Sequence, residues 1–461
     1  MTDTPSLPLP SDSREQSVLD NLLRIREQLM LLKQDRTTYV KSSDVMPLYE
    51  QVVEQVKLLN DMRAGEPHED SKGAHRDHIT GSDMLWPLTV VPPVDRVLDG
   101  CFQLLSLFFM TIGRNNEAPA AYALTSTIKR LLDHLIEVEL YSEKDLAHCS
   151  HTLERLREIV KNAAGSYSPN FLTFLSNRIE ACQTLLTSLQ NRLARLGGDL
   201  PKIHEKLISI LRSISLANTR AKFSSTEVAR LQAQLKEIDA QRVDGKFVSA
   251  NKEVPAGNEE ICELLERCLV WSNIVLERKG VFPEAFSSKY QTLVEIRNTL
   301  EKLSLTQAWS LRETDLYDYQ RQLDKIDESR VNGNFVDAEG NFAELYVQRT
   351  LLYLIRRSYG YIYYLMVSSE PVSEALLPVY NQLQTLRRCL IEVKNSGGVS
   401  SPRELYPYSM KLNSLDNMRV DGKFLVGNEI PEGQGSVIDL LSECFELNYE
   451  LRIAAESEGE E

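Results

Sequence analysis

The chain has 461 residues, 42% of them hydrophobic and 26% charged, a balance typical of a globular protein that is long enough for several structural units. Acidic residues outnumber basic ones by 66 to 52, and the formal net charge of −14 argues against nucleic acid as a partner. The seven cysteines show no framework spacing and the longest apolar run, around 101–112, is short, which argues against a disulfide scaffold and a membrane protein.

The first 14 residues are polar and rich in Pro and Ser, so we predict a disordered N-terminus at 1–14. A first repeat is predicted at 15–118, where Val18, Leu22 and Ile25 begin a helical stripe. A long loop at 64–93, rich in His, Asp, Gly and Pro, interrupts this repeat.

The loop contains three histidines that are candidate metal ligands. They are His68, His75 and His78, and acidic residues lie beside them. Imidazole and carboxylate groups bind zinc or copper, but a polar loop collects such residues without binding a metal. We therefore predict no cofactor and keep a metal site in this loop as the alternative.

Two residue types recur along the chain with nearly one period. The recurring arginines, at spacings of 94, 85, 88 and 89, are Arg63, Arg157, Arg242, Arg330 and Arg419. The recurring prolines, at spacings of 82, 82 and 88, are Pro119, Pro201, Pro283 and Pro371. Because two unrelated residue types recur with nearly the same period, we predict four further repeats after the first, at 119–200, 201–282, 283–370 and 371–452. An acidic tail is predicted at 453–461.

Each repeat contains three helical patterns, the first of which follows the recurring proline. In the fifth repeat this helix carries coiled-coil-like seams at Leu376, Leu383 and Leu390. The predicted fold is all-α, with about five three-helix repeats in an elongated array or in linked bundles.

The phrase that ends the second helix is RVDGKF at 242–247, RVNGNF at 330–335 and RVDGKF again at 419–424. Its Asp-Gly or Asn-Gly predicts either a left-handed residue that stops the helix or a two-residue hairpin between Val243 and Lys246. An alternative hypothesis is that successive turns form a ligand-binding row. The residues of that row are Arg242, Asp244, Gly245, Lys246, Arg330, Asn332, Gly333, Arg419, Asp421, Gly422 and Lys423.

Four cysteines occupy equivalent places in the third helix of their repeats. They are Cys101, Cys182, Cys268 and Cys444. Each lies on the apolar stripe, so we interpret them as small hydrophobic residues and not as ligands.

The third helix of the fourth repeat, LLYLIRRSYGYIYYLMV at 351–367, is unusually rich in Tyr and Arg. Part of it makes one core stripe, and the remainder is the predicted partner-binding patch. Its members are Tyr353, Arg356, Arg357, Tyr361 and Tyr364. Tyr and Arg are enriched where proteins hold partners, although another repeat could instead cover them.

The sequence lacks the serine-hydrolase, nucleotide-binding and zinc-protease motifs, so we predict that the protein is not an enzyme. The phrases RVDGKF, LLERCL and YPYSMKLNSLDNMRVDGKFL resemble an uncharacterised family of conserved fungal helical proteins, a domain of unknown function. The resemblance covers about Glu15 to Leu451 and implies a fungal source, a location in cytoplasm and nucleus, and no catalytic residues to transfer.

The favoured function is a non-enzymatic scaffold or adaptor that binds other proteins through helical faces. The alternative is a small-ligand or metal-binding protein that uses the His-rich loop or the Asp-Gly-Lys turns. We expect a cytoplasmic protein that could also enter the nucleus, with no membrane and no nucleic acid among its partners. The sequence leaves the oligomeric state open.

Overall fold

The computed structural model describes residues 12–64, 93–248, 253–306 and 311–458. Within them the chain forms α-helices, joined by short turns and by longer segments such as 329–344 and 417–433. The helices, α1 to α15 in order, are Gln16–Gln34, Ser42–Ala64, Pro93–Thr111, Ala121–Val138, Glu143–Asn162, Pro169–Ala194, Leu200–Asn218, Ser225–Asp239, Asn258–Arg278, Glu284–Leu305, Leu316–Glu328, Leu345–Val367, Leu377–Asn395, Tyr406–Asp416 and Gln434–Glu458. Two strands, β1 (Arg419–Val420) and β2 (Lys423–Phe424), form a small antiparallel hairpin.

The predicted all-α class is confirmed. Three of the described helices fall within each predicted repeat, while the repetition itself stays a prediction. Described structure begins inside the predicted disordered terminus with a short 3-10 helix at Ser13–Glu15, and α15 continues to Glu458 inside the predicted tail. The predicted loop lies between α2 and α3, and its residues 65–92 are outside the described part of the chain.

The helices enclose two clusters of buried side chains. The larger cluster runs from Val18 to Met366 and joins the first four helix triplets, and the smaller runs from Val372 to Leu451 within the last triplet. Helix α12 packs against α4, α7, α9, α10 and α11, and α11 packs against α3. The first and fourth triplets therefore touch directly, which differs from a linear array in which each unit touches only its neighbours.

Prolines begin several first helices of the triplets, as predicted. Pro201 lies in the first turn of α7, and Pro283 is the residue before α10. The prediction is wrong for Pro371, which precedes α13 by several residues, and Pro378 occupies the first turn instead. A proline fits this position because the first turn leaves its N–H groups unbonded.

The repeated phrase forms a two-residue hairpin, so the helix-stop alternative is wrong. Helix α8 ends at Asp239 with a right-handed residue after it, before the turn begins. Val243 and Lys246 then exchange two backbone hydrogen bonds of 2.8 and 3.0 Å. The φ angles of 50° at Asp244 and 77° at Gly245 define the turn that matches strand twist. The second and third copies repeat this geometry.

Each hairpin ends in a buried Phe whose backbone is held by an amide side chain from the following helix. The Phe335 N–H donates to Gln348 Oε1 at 2.9 Å, and Gln348 Nε2 donates to the Phe335 carbonyl at 3.0 Å. Gln434 makes the same pair with Phe424, and Asn258 accepts from the Phe247 N–H at 2.8 Å. The amide thereby satisfies backbone groups that the two-residue hairpin leaves without a partner.

Replacing Gln348 with Ala should lower the free energy of unfolding by about 2 kcal/mol, because Phe335 is fully buried and its backbone N–H would lose its acceptor. The Phe335 carbonyl would keep the N–H of Ala343 at 2.9 Å. Gln348→Glu keeps the acceptor and loses the donor, so its effect should fall between wild type and Gln348→Ala. Urea unfolding followed by circular dichroism measures both. Equal stability of all three proteins would show that water replaces the amide.

The four equivalent cysteines are buried and perform one structural role, as interpreted. Each thiol points to a backbone carbonyl of the first helix in its own triplet. The pairs are Cys101 with Leu22, Cys182 with Thr125, Cys268 with Leu207 and Cys444 with Leu383, at 3.5 to 4.0 Å. Burial raises the pKa of all four thiols, and it raises the pKa of the Cys182 thiol to about 11. The thiols therefore stay protonated.

Candidate functional site

One side of α12 carries the residues that distinguish this helix from the others. Arg349, Tyr353, Arg356, Gly360 and Tyr364 follow one another at steps of four and three residues, so they share a single helix face. The opposite side supplies the buried core stripe that packs on the neighbouring helices. We call this outer side, together with the adjoining Arg357, the α12 face.

The predicted partner-binding residues divide between this face and its flank. Tyr364 and Arg357 are exposed, and Tyr353 and Arg356 are half-buried. Tyr361 is buried, and its hydroxyl donates to Glu301 of α10 at 2.8 Å. The prediction that Tyr361 lies on the surface is therefore wrong, because α10 packs closely along that side of α12.

Two arginines from other helices lie at the edge of the face. Arg212 of α7 and Arg267 of α9 are each half-exposed. The Arg349 guanidinium donates to the Arg267 carbonyl at 3.4 Å and lies 5.7 Å from the Trp271 ring centroid. Arg267 donates in turn to the Val138 carbonyl at the end of α4, at 2.7 Å. Contacts with α9 and α4 therefore hold Arg349 and Arg267 in place.

Two carboxylates at the edge of the face pair with the peripheral arginines, while Glu137, which pairs with Arg330, acts on Arg356 from beyond ion-pair distance. Asp145 binds Arg212, and Glu139 lies 3.6 Å from Arg267. Among the described residues, no carboxylate lies within ion-pair distance of Arg349, Arg356 or Arg357. The α12 face thus carries an excess of positive charge in a chain whose formal net charge is −14.

The environment of Arg356 disfavours its own charge. Burial, and after it the positive charge of Arg212, lower the pKa of the Arg356 guanidinium to about 10. Burial and then Arg267 also lower the pKa of Arg349. A positive group with this environment gains most from an arriving anion, because the anion replaces lost hydration and offsets the repulsion between arginines.

Gly360 leaves an open space in the middle of the face. A Cβ placed on Gly360 would have no atom of a neighbouring group within 4 Å, counting the residues that the structure describes. Glycine inside a helix costs about 1 kcal/mol relative to alanine, and no packing contact requires it here. Gly360 thus leaves room for another backbone to approach α12 closely.

We expect Gly360→Ala to raise the free energy of unfolding by roughly 0.5–1 kcal/mol, because the methyl group enters open space and the helix loses a flexible position. Urea unfolding of the two proteins tests this. Gly100→Ala is the matched control, since its Cβ would lie 3.3 Å from the Tyr317 hydroxyl and should give no gain. A loss of stability in Gly360→Ala would contradict an open face.

The other predicted sites remain separate from the α12 face. Among the described residues, no three side chains of the metal-binding types lie close enough together to hold a metal ion. His68, His75 and His78 lie outside the described residues. Asp244 and Lys246 are exposed at a hairpin tip, and the ligand-binding row stays a prediction.

Sequence reasoning found the α12 helix and missed the three other arginines that complete the site. Arg349 could have been added from helix spacing, since it lies four residues before Tyr353 on the same face. Arg212 and Arg267 could not, because packing between α7, α9 and α12 brings them there. Chemically, the face can bind anionic groups through fixed guanidinium donors.

The fold and the site define an all-α protein with an arginine- and tyrosine-rich helix face. Among the described helices, none is long and apolar enough to cross a membrane. The family model described as "Protein of unknown function (DUF2408)" matches residues 193–313 and 369–461. No solved structure matches the chain.

Two relatives match almost the whole chain. A CUB1 family protein of Schizosaccharomyces pombe is 39% identical over 98% of this chain and 95% of its own. The "Cu(2+) suppressing and bleomycin sensitive protein 1" of Saccharomyces cerevisiae is 35% identical over 97% of this chain and 91% of its own. The chain therefore belongs to the CUB1 family, and the predicted resemblance to an uncharacterised fungal family is confirmed.

Proposed function

We propose that this protein is a non-enzymatic helical scaffold of the cytoplasm and nucleus that binds other proteins through the α12 face. The observation that carries the proposal is the set of α12 arginines that have no carboxylate partner within the described part of the chain, placed beside the exposed Tyr364. Arginine and tyrosine supply much of the binding energy at protein interfaces.

The helices that pack against α12 also favour a scaffold function. Because α12 packs on α4, α7, α9, α10 and α11, its outer face keeps one shape before a partner arrives. A preorganised face loses less conformational entropy on binding than a flexible segment does. The buried part of the helix thus stabilises the surface that the partner would contact.

Affinity capture from the native cell with mass spectrometry tests the proposal. Arg356→Gln, Arg357→Gln and Tyr364→Ala are combined in one variant, and we expect it to lose partners that the wild type retains. Arg230→Gln, Arg403→Gln and Tyr406→Ala form the control, because they are exposed residues of the same types elsewhere. An unchanged set of partners in the α12 variant would contradict a scaffold that uses this face.

A second candidate function is copper binding by the His-rich segment. It is favoured by the name of the Saccharomyces cerevisiae relative, which refers to Cu(2+), together with His68, His75 and His78 of this sequence. Imidazole nitrogens are preferred ligands of Cu²⁺. Titration calorimetry of tag-free protein with Cu²⁺, compared with the His68→Ala, His75→Ala, His78→Ala triple variant, tests it. Equal heats of binding for the two proteins would reject this segment as the site.

A further inference from the structure

We infer that the α12 face binds an acidic helical segment of a partner protein, whose carboxylates pair with Arg349, Arg356 and Arg357 and whose backbone approaches over Gly360. This inference rests on the proposed function for the choice of face and adds the chemistry of the partner. It follows from the charge, the spacing and the open space on the face.

Charge complementarity is the first argument. The three α12 arginines have no carboxylate partner among the described residues, whereas Arg212 binds Asp145 and Arg267 has Glu139 at 3.6 Å. Surplus guanidinium groups on a recessed face favour a ligand that brings carboxylates. An isolated ion pair on an open surface contributes little, but half-buried arginines are partly desolvated already and gain more from a partner.

Spacing is the second argument. Arg349 and Arg356 are seven residues apart, which places them about 10.5 Å apart along the axis of α12. A partner helix with Glu at two positions seven residues apart, lying along α12, repeats the same interval. An intervening Glu or apolar residue of that partner would then face Tyr353 between the two arginines.

The open space above Gly360 is the third argument. Helices pack at interaxial distances of about 8–10 Å, and the shorter distances need small residues at the contact. Gly360 supplies such a residue on the same side of α12 as the arginines. No described neighbour fills the space, so Gly360 provides a contact point for a second helix.

The test uses the full-length protein and a fluorescein-labelled alanine-based helical peptide with Glu at positions i, i+3 and i+7. Fluorescence anisotropy compares this probe with the same peptide carrying Gln in place of each Glu. We expect the Glu peptide to bind and the Gln peptide to bind at least about tenfold more weakly. Binding should weaken as NaCl rises from about 50 to about 200 mM, because salt screens the pairs. Equal binding of the Glu and Gln peptides, or affinity independent of salt, would overturn the inference.

Two variants assign the binding to the face. Arg349→Gln with Arg356→Gln should weaken the Glu peptide about tenfold, while the control Arg230→Gln with Arg403→Gln changes net charge equally and should leave its affinity within about twofold. Gly360→Phe fills the open space without changing charge and should also weaken the peptide. Thermal melting verifies that each variant is folded. Unchanged affinity in the Arg349, Arg356 variant would overturn the inference.

A single-stranded oligonucleotide of equal charge separates acidic protein from nucleic acid as the partner. Tighter binding of the oligonucleotide, lost in the Arg349, Arg356 variant, would overturn the acidic-segment inference in favour of nucleic acid. If cellular partners depend on the α12 face and the Glu peptide fails to bind, only this inference fails. If the Glu peptide binds and the captured partners do not depend on the face, the inference stands and the proposed scaffold function fails.

Discussion

Replacing Arg312 with Ala is expected to lower the free energy of unfolding by about 3–5 kcal/mol, the range for breaking a buried ion pair from one side. Only 3% of the Arg312 side chain is exposed. Its guanidinium donates to Glu374 at 2.8 Å, to the Asp35 carbonyl at 2.7 Å and to the Thr38 carbonyl at 3.3 Å. The substitution leaves two backbone carbonyls without the Arg312 donor, and a partly buried carboxylate with only the Val40 N–H at 3.4 Å.

The same contacts predict how the variant unfolds. Glu374 lies before α13, so Arg312 links the last helix triplet to the segment after α1. That triplet has a hydrophobic cluster of its own, distinct from the larger cluster. We expect Arg312→Ala to show two urea transitions and faster cleavage by a glutamate-specific protease between α12 and α13, after Glu370.

Two further variants make the Arg312 experiment specific. Arg36→Ala removes an exposed arginine that pairs with Asp315 nearby, and should cost under about 1 kcal/mol. Arg312→Ala combined with Glu374→Gln should recover part of the loss, because it removes the uncompensated carboxylate. A stability of Arg312→Ala equal to that of Arg36→Ala would mean that Arg312 does not join the two parts.

Local patterns predicted the helices and the hairpins because each depends on residues close in sequence. Leu22, Ile25 and Leu29 follow the helical period and are buried as expected. Asp244 and Gly245 favour positive φ, so the sequence itself restricts the turn to few geometries. The helix-stop interpretation was wrong because an Asp-Gly pair suits both geometries, and only the residues after α8 distinguish them.

The contacts that could not be predicted are those between distant parts of the chain. Gln348 lies 13 residues after Phe335, and its sequence context is that of any polar residue near a helix start. Tyr361 looked exposed from the period of α12 alone, but α10 covers it. Likewise, Arg212 and Arg356 lie at one face because α7 packs against α12. The amphipathic pattern of a single helix does not predict this contact between helices.

Replacing Asp327 with Asn should lower the free energy of unfolding by about 3 kcal/mol at pH 6, because the carboxylate is the centre of a buried charge cluster between α4 and α11. Only 6% of the Asp327 side chain is exposed. Its oxygens lie 2.8 Å from Arg330, 3.4 Å from His134 Nε2 and 3.8 Å from Arg130. Asn is nearly isosteric, so the loss would arise from charge and not from a cavity.

The charge cluster also predicts that Asp327 and His134 contribute to stability with opposite dependences on pH. Burial alone would raise the pKa of Asp327, but the contact with His134 and the positive charges of His134, Arg330 and Arg130 lower it overall. A lowered carboxyl pKa gives stability that is present above about pH 4 and is lost as the pH falls through the folded value. Burial alone would lower the pKa of His134, but Asp327 and Glu137 raise it. Its contribution is therefore present below about pH 6.5 and is lost as the pH rises through the raised value.

We expect Asp327→Asn to lower the free energy of unfolding and also to abolish its decrease at alkaline pH. Without the Asp327 charge, burial of His134 should outweigh the contact with Glu137 and keep the imidazole neutral, so stability should no longer fall as the pH rises above about 6.5. Burial, and after it the charge of Arg212, lower the pKa of His204, so its effect on stability has the opposite dependence on pH. This effect is the same in both proteins. It therefore cancels in the difference between their urea unfolding profiles.

The exposed pair of Lys129 and Asp133 supplies the control for the pH experiment. Asp133→Asn removes one carboxylate on α4 with 46% of its side chain exposed, and should cost under about 1 kcal/mol. It should also retain the alkaline loss of stability, because Asp327 and His134 are unchanged. If Asp327→Asn kept the same alkaline slope as Asp133→Asn, the slope would arise from another group, and Asp327 would not hold the proton on His134.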